Sequence, residues 1–301
     1  TANTTGSSNT ALGVEALKAN TTASNNVAIG KDAMIANTTG SENVAVGTNA
    51  LNVNTTGTNN TAMGDGALNQ NTTASNNTAV GRLALLLNTT GDQNVAVGAS
   101  AGDSVTTGGS NTLIGYNSGQ AITTAGANTF LGNNAGQLNT GSDNTYIGQR
   151  CGESMTTGSG NVAIGKESSP ASNSSSNSVT LGGGATSSLR CNQTSISSLS
   201  DQRDKTDIID LPIGLDFINK VRPVKFKWAS RDGKQGKDGT YEAGFIAQEF
   251  QSVESSTSVD YLKLVLDDNP DKLEAAPNKL FPVLVKAIQE LSAKVTALEA
   301  A

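Results

Sequence analysis

Histidine is absent from this chain. That absence removes Ser-His-Asp and Cys-His nucleophile chemistry, together with histidine-based zinc sites. Cysteine is nearly absent too, and Cys151 and Cys191 do not make a disulfide framework. Basic surface is lacking: 20 Lys and Arg against 26 Asp and Glu leave a net charge of -6, so nucleic acid is not an expected partner. No apolar run approaches the ~20 residues of a membrane span, and membrane insertion is not expected. No charged-then-apolar leader opens the chain, which starts on Thr1 and reads as a fragment of a longer protein. No cofactor is expected.

Charge and aromatic side chains are scarce over the first two thirds. Residues 1–199 hold 15 charged residues and three aromatics, Tyr116, Phe130 and Tyr146, whereas residues 200–301 hold 31 and eight. The two regions must build their cores differently.

What fills the first region is a repeat. Gly13, Gly30, Gly47, Gly64, Gly81, Gly98, Gly115, Gly132, Gly148, Gly165 and Gly182 follow one another at seventeen residues, with one deletion before Gly148. An apolar residue precedes each, from Leu12 and Ile29 to Ile164 and Leu181. A small one follows three places on, from Ala16 and Ala33 to Cys151 and Ser168. Short apolar pairs separated by Asn, Thr and Gly at a period near 20 predict a β-solenoid or β-roll, each turn stacking its inward side chains on the next. Turn-forming and β-branched residues in every period argue against helix. At the ~4.8 Å strand spacing, eleven turns give a rod on the order of 50 Å. So few large apolar residues make a thin core, and three chains around an axis are the smallest closed arrangement for a fibre, so a homotrimer is expected. Cys151, on the small-residue ladder, reads as a small buried hydrophobe.

Two other readings of this region are weak. The column Thr21, Thr38, Thr55, Thr72 and Thr89 resembles an ice-binding face, but is read as dissolving at Val105, Thr106 and Thr107. A glycan hydrolase needs paired carboxylates and aromatic surfaces, and here nine Asp and Glu lie scattered.

Residues 185–199 lose the ladder, are rich in serine and read as a neck. After them Leu211, Leu215, Ile218 and Val221 recur at helical spacing up to Pro223, and Val224 to Trp228 alternates as a half-buried strand. Arg231 to Gly239 reads as a hairpin-type loop. Phe281, Leu284, Ile288, Leu291, Val295 and Leu298 step by three and four, the a and d seam of a coiled coil over about 281–299.

Ser200-Asp201-Gln202-Arg203-Asp204-Lys205 opens the charged region. With Leu215, Ile218, Arg222-Pro223-Val224, Trp228 and Gly244-Phe245-Ile246-Ala247-Gln248-Glu249, it resembles the peptidase S74, endosialidase-type intramolecular chaperone that ends bacteriophage tail spikes and fibres. The family often has a histidine just before the Gly-Phe-Ile run, where this chain has Glu242-Ala243, so no chemistry is assigned there. Asn26-Val27-Ala28-Ile29-Gly30 and Asn161 to Gly165 are similar to head repeats of trimeric autotransporter adhesins, whose period is shorter.

The resemblance implies a mainly β protein with an α+β C-terminal part. A trimeric β-solenoid over 1–184 and a neck over 185–199 lead to a small α+β chaperone over 200–301 that ends in a coiled-coil helix. It implies a tail fibre or spike located in the virion and assembled in the host cytoplasm, with a host cell-surface receptor or glycan as a further partner. Its chaperone would trimerise and fold the fibre, then cut itself off. Ser200 would be the nucleophile and Lys205 the base, with attack on the carbonyl of Leu199; Ser200-Asp201 is the alternative scissile bond. A lysine amine is protonated in water near neutrality, so such a base works only where burial disfavours its charge. An adhesin fibre whose chaperone stays attached and uncut is the alternative.

Overall fold

The computed structural model describes residues 3–183, 186, 200–229, 239–271 and 273–301. The expected neck, apart from Thr186, Leu199 with its scissile bond, Cys191 and most of the loop at 231–239 lie outside the described residues. The chain divides into two compact units, Thr1–Ser187 and Ser188–Ala301.

The first unit is a parallel β-solenoid. Each coil gives one three-residue strand, numbered β1 to β11: Thr10–Leu12, Val27–Ile29, Val44–Val46, Thr61–Met63, Thr78–Val80, Val95–Val97, Thr112–Ile114, Thr129–Leu131, Thr145–Ile147, Val162–Ile164 and Val179–Leu181. The strands pair in sequence order, and Val27 sits opposite Val44 in the register that the seventeen-residue period dictates. Thr129 pairs with Thr145, one residue short. That coil has Asn139-Thr140-Gly141 where the coils on either side carry two threonines, Ile122-Thr123-Thr124 before it and Met155-Thr156-Thr157 after it, so the deletion falls in the turn and leaves the strands in register.

Glycine follows each strand because two demands meet there. At Gly30 φ is +137°, a region closed to side chains, and a Cβ would lie 2.4 Å from the carbonyl oxygen of Gly47 in the next coil. Beyond the glycine the chain turns through left-handed residues, Asp32 and then Met34 in one coil, Asn49 and then Leu51 in the next. Met34, Leu51, Leu68 and Leu85 take this strained conformation while fully buried. Burying such a side chain is worth about 1.5–3 kcal/mol, which exceeds the ~1–2 kcal/mol that the left-handed backbone costs.

The core changes composition halfway along. In β2 to β6 the central, inward residue is Ala28, Ala45, Ala62, Ala79 or Ala96; in β7 to β9 it is Leu113, Phe130 or Tyr146. The left-handed position six residues after the enlarged strand residue becomes Gly119, Gly136 or Gly152. A Cβ at Gly136 would stand 2.3 Å from Cε2 of Phe130, and one at Gly152 2.4 Å from Cδ2 of Tyr146. Volume moves from the turn to the strand, and Phe130 and Tyr146 then stack with centroids 4.9 Å apart and planes 6° from parallel.

Two buried asparagine ladders hold the turns. Asn43 accepts from the Asn60 backbone N–H at 2.9 Å through Oδ1 and donates from Nδ2 to the Gly57 carbonyl at 2.8 Å. In the second ladder Asn37 Nδ2 donates to Asn20 Oδ1 at 3.1 Å and to the Gly40 carbonyl at 2.8 Å. This ladder stops where Val105 replaces the next asparagine, and Asn88 Oδ1 is left buried without a partner.

The threonine column corrects the sequence reading. It does not dissolve after Thr89: Thr89 Oγ1 donates to the Thr106 carbonyl at 3.0 Å, and Thr106 Oγ1 to the Thr123 carbonyl at 3.1 Å. These hydroxyls are spent on the next coil, so the column stitches the turns.

The second unit is small and α+β. Helix α1 is Leu215–Ile218 alone, shorter than the expected run from Leu211 to Val221. Pro212 and Gly214 stand just before it and hold Leu211 outside. Strand β12 (Val224–Phe226) stops short of Trp228 and pairs antiparallel with β13 (Glu242–Gly244). Helix α2 (Ala247–Thr257), the two-residue strands β14 (Val265–Leu266) and β15 (Glu274–Ala275), and helix α3 (Phe281–Glu299) complete it. Phe217, Phe250, Val259, Leu262, Leu264, Leu280 and Val283 form its core.

Candidate functional site

The site begins with a turn. Asp201, in extended conformation, accepts the Arg203 backbone N–H on its carboxylate at 2.9 Å and so caps a 3-10 turn over Gln202–Asp204. The Lys205 N–H closes the turn on the Gln202 carbonyl at 3.2 Å. The reversal brings Lys205 back to Ser200, and its Nζ donates to Ser200 Oγ at 2.5 Å. The two residues singled out in the sequence therefore meet, and both are exposed in the single chain.

Sequence reasoning gave Asp201 no role beyond flanking the alternative scissile bond, and gave Arg203 none. The Asp201 carboxylate receives Arg203 Nε at 3.1 and 3.2 Å and Nη2 at 2.6 Å. These bonds from Arg203 hold its carboxyl below the ordinary carboxylate range. An aspartate heading a short polar turn is itself a capping signature, legible once the turn is placed.

Downstream, Arg222 grips Glu249 with Nε on Oε2 at 3.1 Å and with Nη2 on Oε1, joining the segment before β12 to α2. The guanidinium holds the Glu249 carboxyl below its ordinary value. Glu290 of α3 accepts the Leu215 N–H at 2.8 Å and caps α1 from another helix. A Cβ at Gly214 would lie 2.5 Å from that carboxylate, so a larger residue there would displace the Glu290 carboxylate. Neither pairing was legible from spacing, because the partners stand 27 and 75 residues apart.

In the solenoid, burial pushes the Cys151 thiol up to about 11, and its Sγ donates to the Ala163 carbonyl at 3.1 Å. It is the small core residue its ladder position implied. Burial likewise pushes the Tyr146 hydroxyl up to about 12. Among the described residues no group of three His, Cys, Asp or Glu is placed to hold a metal ion, and no helix is long and apolar enough to cross a membrane.

The fold and the site define a class: a β-solenoid of the fibre type, followed by a small α+β unit with a serine and a lysine joined at its start. Residues 200–259 match the family model Peptidase_S74, the chaperone of endosialidase, which covers Ser200, Lys205, Arg222 and Glu249. No curated protein and no solved structure matches the chain.

Proposed function

We propose that the chain is part of a bacteriophage tail fibre or spike, in which residues 200–301 trimerise the chain, guide folding of the 1–184 shaft and then release themselves by one self-cleavage. The 2.5 Å contact between Lys205 Nζ and Ser200 Oγ carries this reading. The Lys205 amine takes the hydroxyl proton as Ser200 Oγ attacks the Leu199 carbonyl carbon. The acyl group passes from the Ser200 nitrogen to its oxygen, the Ser200 amine is freed, and water hydrolyses the resulting ester. The products are a shaft ending in the Leu199 carboxylate and a chaperone beginning at Ser200.

Two surfaces support the trimer. All eleven strands present an uncharged outer face, made of Thr or Val at the first position and Leu, Ile, Val or Met at the third. Helix α3 buries Val283 and Ala287 against its own unit and leaves Phe281, Leu284, Ile288, Leu291, Val295 and Leu298 exposed along an adjoining stripe. One helix thus serves its own core with one stripe and carries an exposed row with coiled-coil spacing beside it. Because Ser200 and Lys205 are exposed in one chain, and a lysine loses its charge only where water is removed, cleavage belongs to the assembled state. The shaft left behind would be held by its unfolding barrier.

Lys205→Ala and Lys205→Arg should both leave the protein full length, arginine because it keeps its proton. Efficient cutting in either, seen on a denaturing gel, would remove Lys205 from the reaction and leave another base in its place, whereas a wild-type chain that stays uncut would favour the attached-chaperone adhesin.

A further inference from the structure

We propose that Asp201 is a positioning residue for this cleavage: it caps the turn that holds Lys205 on Ser200, while Arg203 keeps its carboxylate from the lysine. The proposal rests on Ser200 and Lys205 being the reacting pair. Five residues of extended chain would carry the two groups roughly 17 Å apart, so their contact depends on the reversal at Gln202–Asp204. Two backbone bonds make that turn, Asp204 N–H to the Asp201 carbonyl and Lys205 N–H to the Gln202 carbonyl, both at 3.2 Å. None of its residues is buried, so no packing reinforces it. The remaining support is the Asp201 side chain on the Arg203 N–H.

The same carboxylate has a second effect. An ionised carboxylate is the partner a lysine ammonium favours, and one four residues away would compete with Ser200 for the amine and hold its proton. Arg203 occupies both oxygens of Asp201. Lys205 meets the serine hydroxyl instead, and makes no ion pair among the described residues.

The test is the rate of self-cleavage after refolding the full chain from denaturant, read by mass, with trimer content followed by sedimentation and Ser200→Ala as the uncut baseline. Asp201→Asn and Asp201→Ser keep a side-chain oxygen for the cap and should cut nearly as fast as wild type. Asp201→Ala should be slower by roughly fivefold or more per assembled trimer. Arg203→Gln keeps the cap but frees the carboxylate, so it should slow cutting, and adding Asp201→Asn should restore it, which a purely structural role for Arg203 would not produce. Wild-type speed in Asp201→Ala, or Asn and Ser variants as slow as alanine, overturns the cap; a double variant no faster than Arg203→Gln overturns the shielding. If Asp201→Ala does not assemble, the Asn and Ser variants carry the test, and loss of cutting in either overturns the cap. Cutting that persists in Ser200→Ala sinks the underlying dyad, and this proposal with it.

Discussion

At the residue scale three coils of the solenoid, those of Leu113, Phe130 and Tyr146, exchange volume between positions six apart. Phe130 and Gly136 hold one such exchange, and Ala45 and Leu51 hold its mirror image. Phe130→Ala should cost about 3–5 kcal/mol by opening a cavity, and Gly136→Leu alone should be at least as harmful because its side chain would enter the ring of Phe130. The double variant recreates the Ala45 and Leu51 pair and should recover much of the loss. Denaturant midpoints of the four proteins check this, and additive losses would mean that the pairing is incidental. The glycine ladder was readable in the sequence because one backbone demand repeats in every coil. The exchange was not, since Gly136 looks like one more turn glycine until Phe130 is seen against it. The threonine column was cut short for a similar reason: Val105 stands next to Thr106 in sequence but belongs to the asparagine row.

The buried Tyr146 and Cys151 make the same region sensitive to alkali. Both groups have folded values above their ordinary ones, about 12 against 10.0 and about 11 against 9.0. The unfolded chain therefore loses these protons first as pH rises. Stability is fully present below pH 9 and falls as pH climbs through 9–12, by up to about 1.4 kcal/mol per pH unit for each group. Cys151→Ala, which matches the residue at this ladder position in most coils, should flatten the first part of that decline in thermal melts. An unchanged slope between pH 9 and 11 would remove the thiol from the explanation.

At the scale of elements, α3 separates two roles along one helix. Val283 is fully buried and Ile288 is 66% exposed. Val283→Ala should cost about 1–3 kcal/mol of the unit's own stability. Ile288→Asp should leave that core intact and abolish association, so that the protein sediments as monomer or aggregate and stays uncut. A normal yield of cut trimer from Ile288→Asp would show that the seam is not used. The heptad pattern exposed this helix from Phe281 to Glu299 in the sequence, because three and four residue steps are local. The short α1 was overestimated because its apolar spacing runs on past Pro212 and Gly214, and its true start is fixed by Glu290, 75 residues away.

At the scale of the whole molecule, a repetitive shaft and a compact α+β unit divide the labour. Coils of the shaft bond to their neighbours through backbone, asparagine and threonine, and its outer sheet face is uncharged. In the proposed trimer, register between chains would be the slow step, because contacts far apart in sequence must form before they are repaid. In the proposed function, a unit that first brings three chains together would remove that difficulty, and a cut that waits for assembly would mark its completion. The most direct test is the intact mass of freshly refolded wild-type protein beside Ser200→Ala, with the N-terminal residue of any small fragment determined. Wild type should give two fragments, the smaller beginning at Ser200, and Ser200→Ala a single full-length chain. Full-length, uncut chains in both proteins, or the same cut in both, would contradict self-cleavage by Ser200.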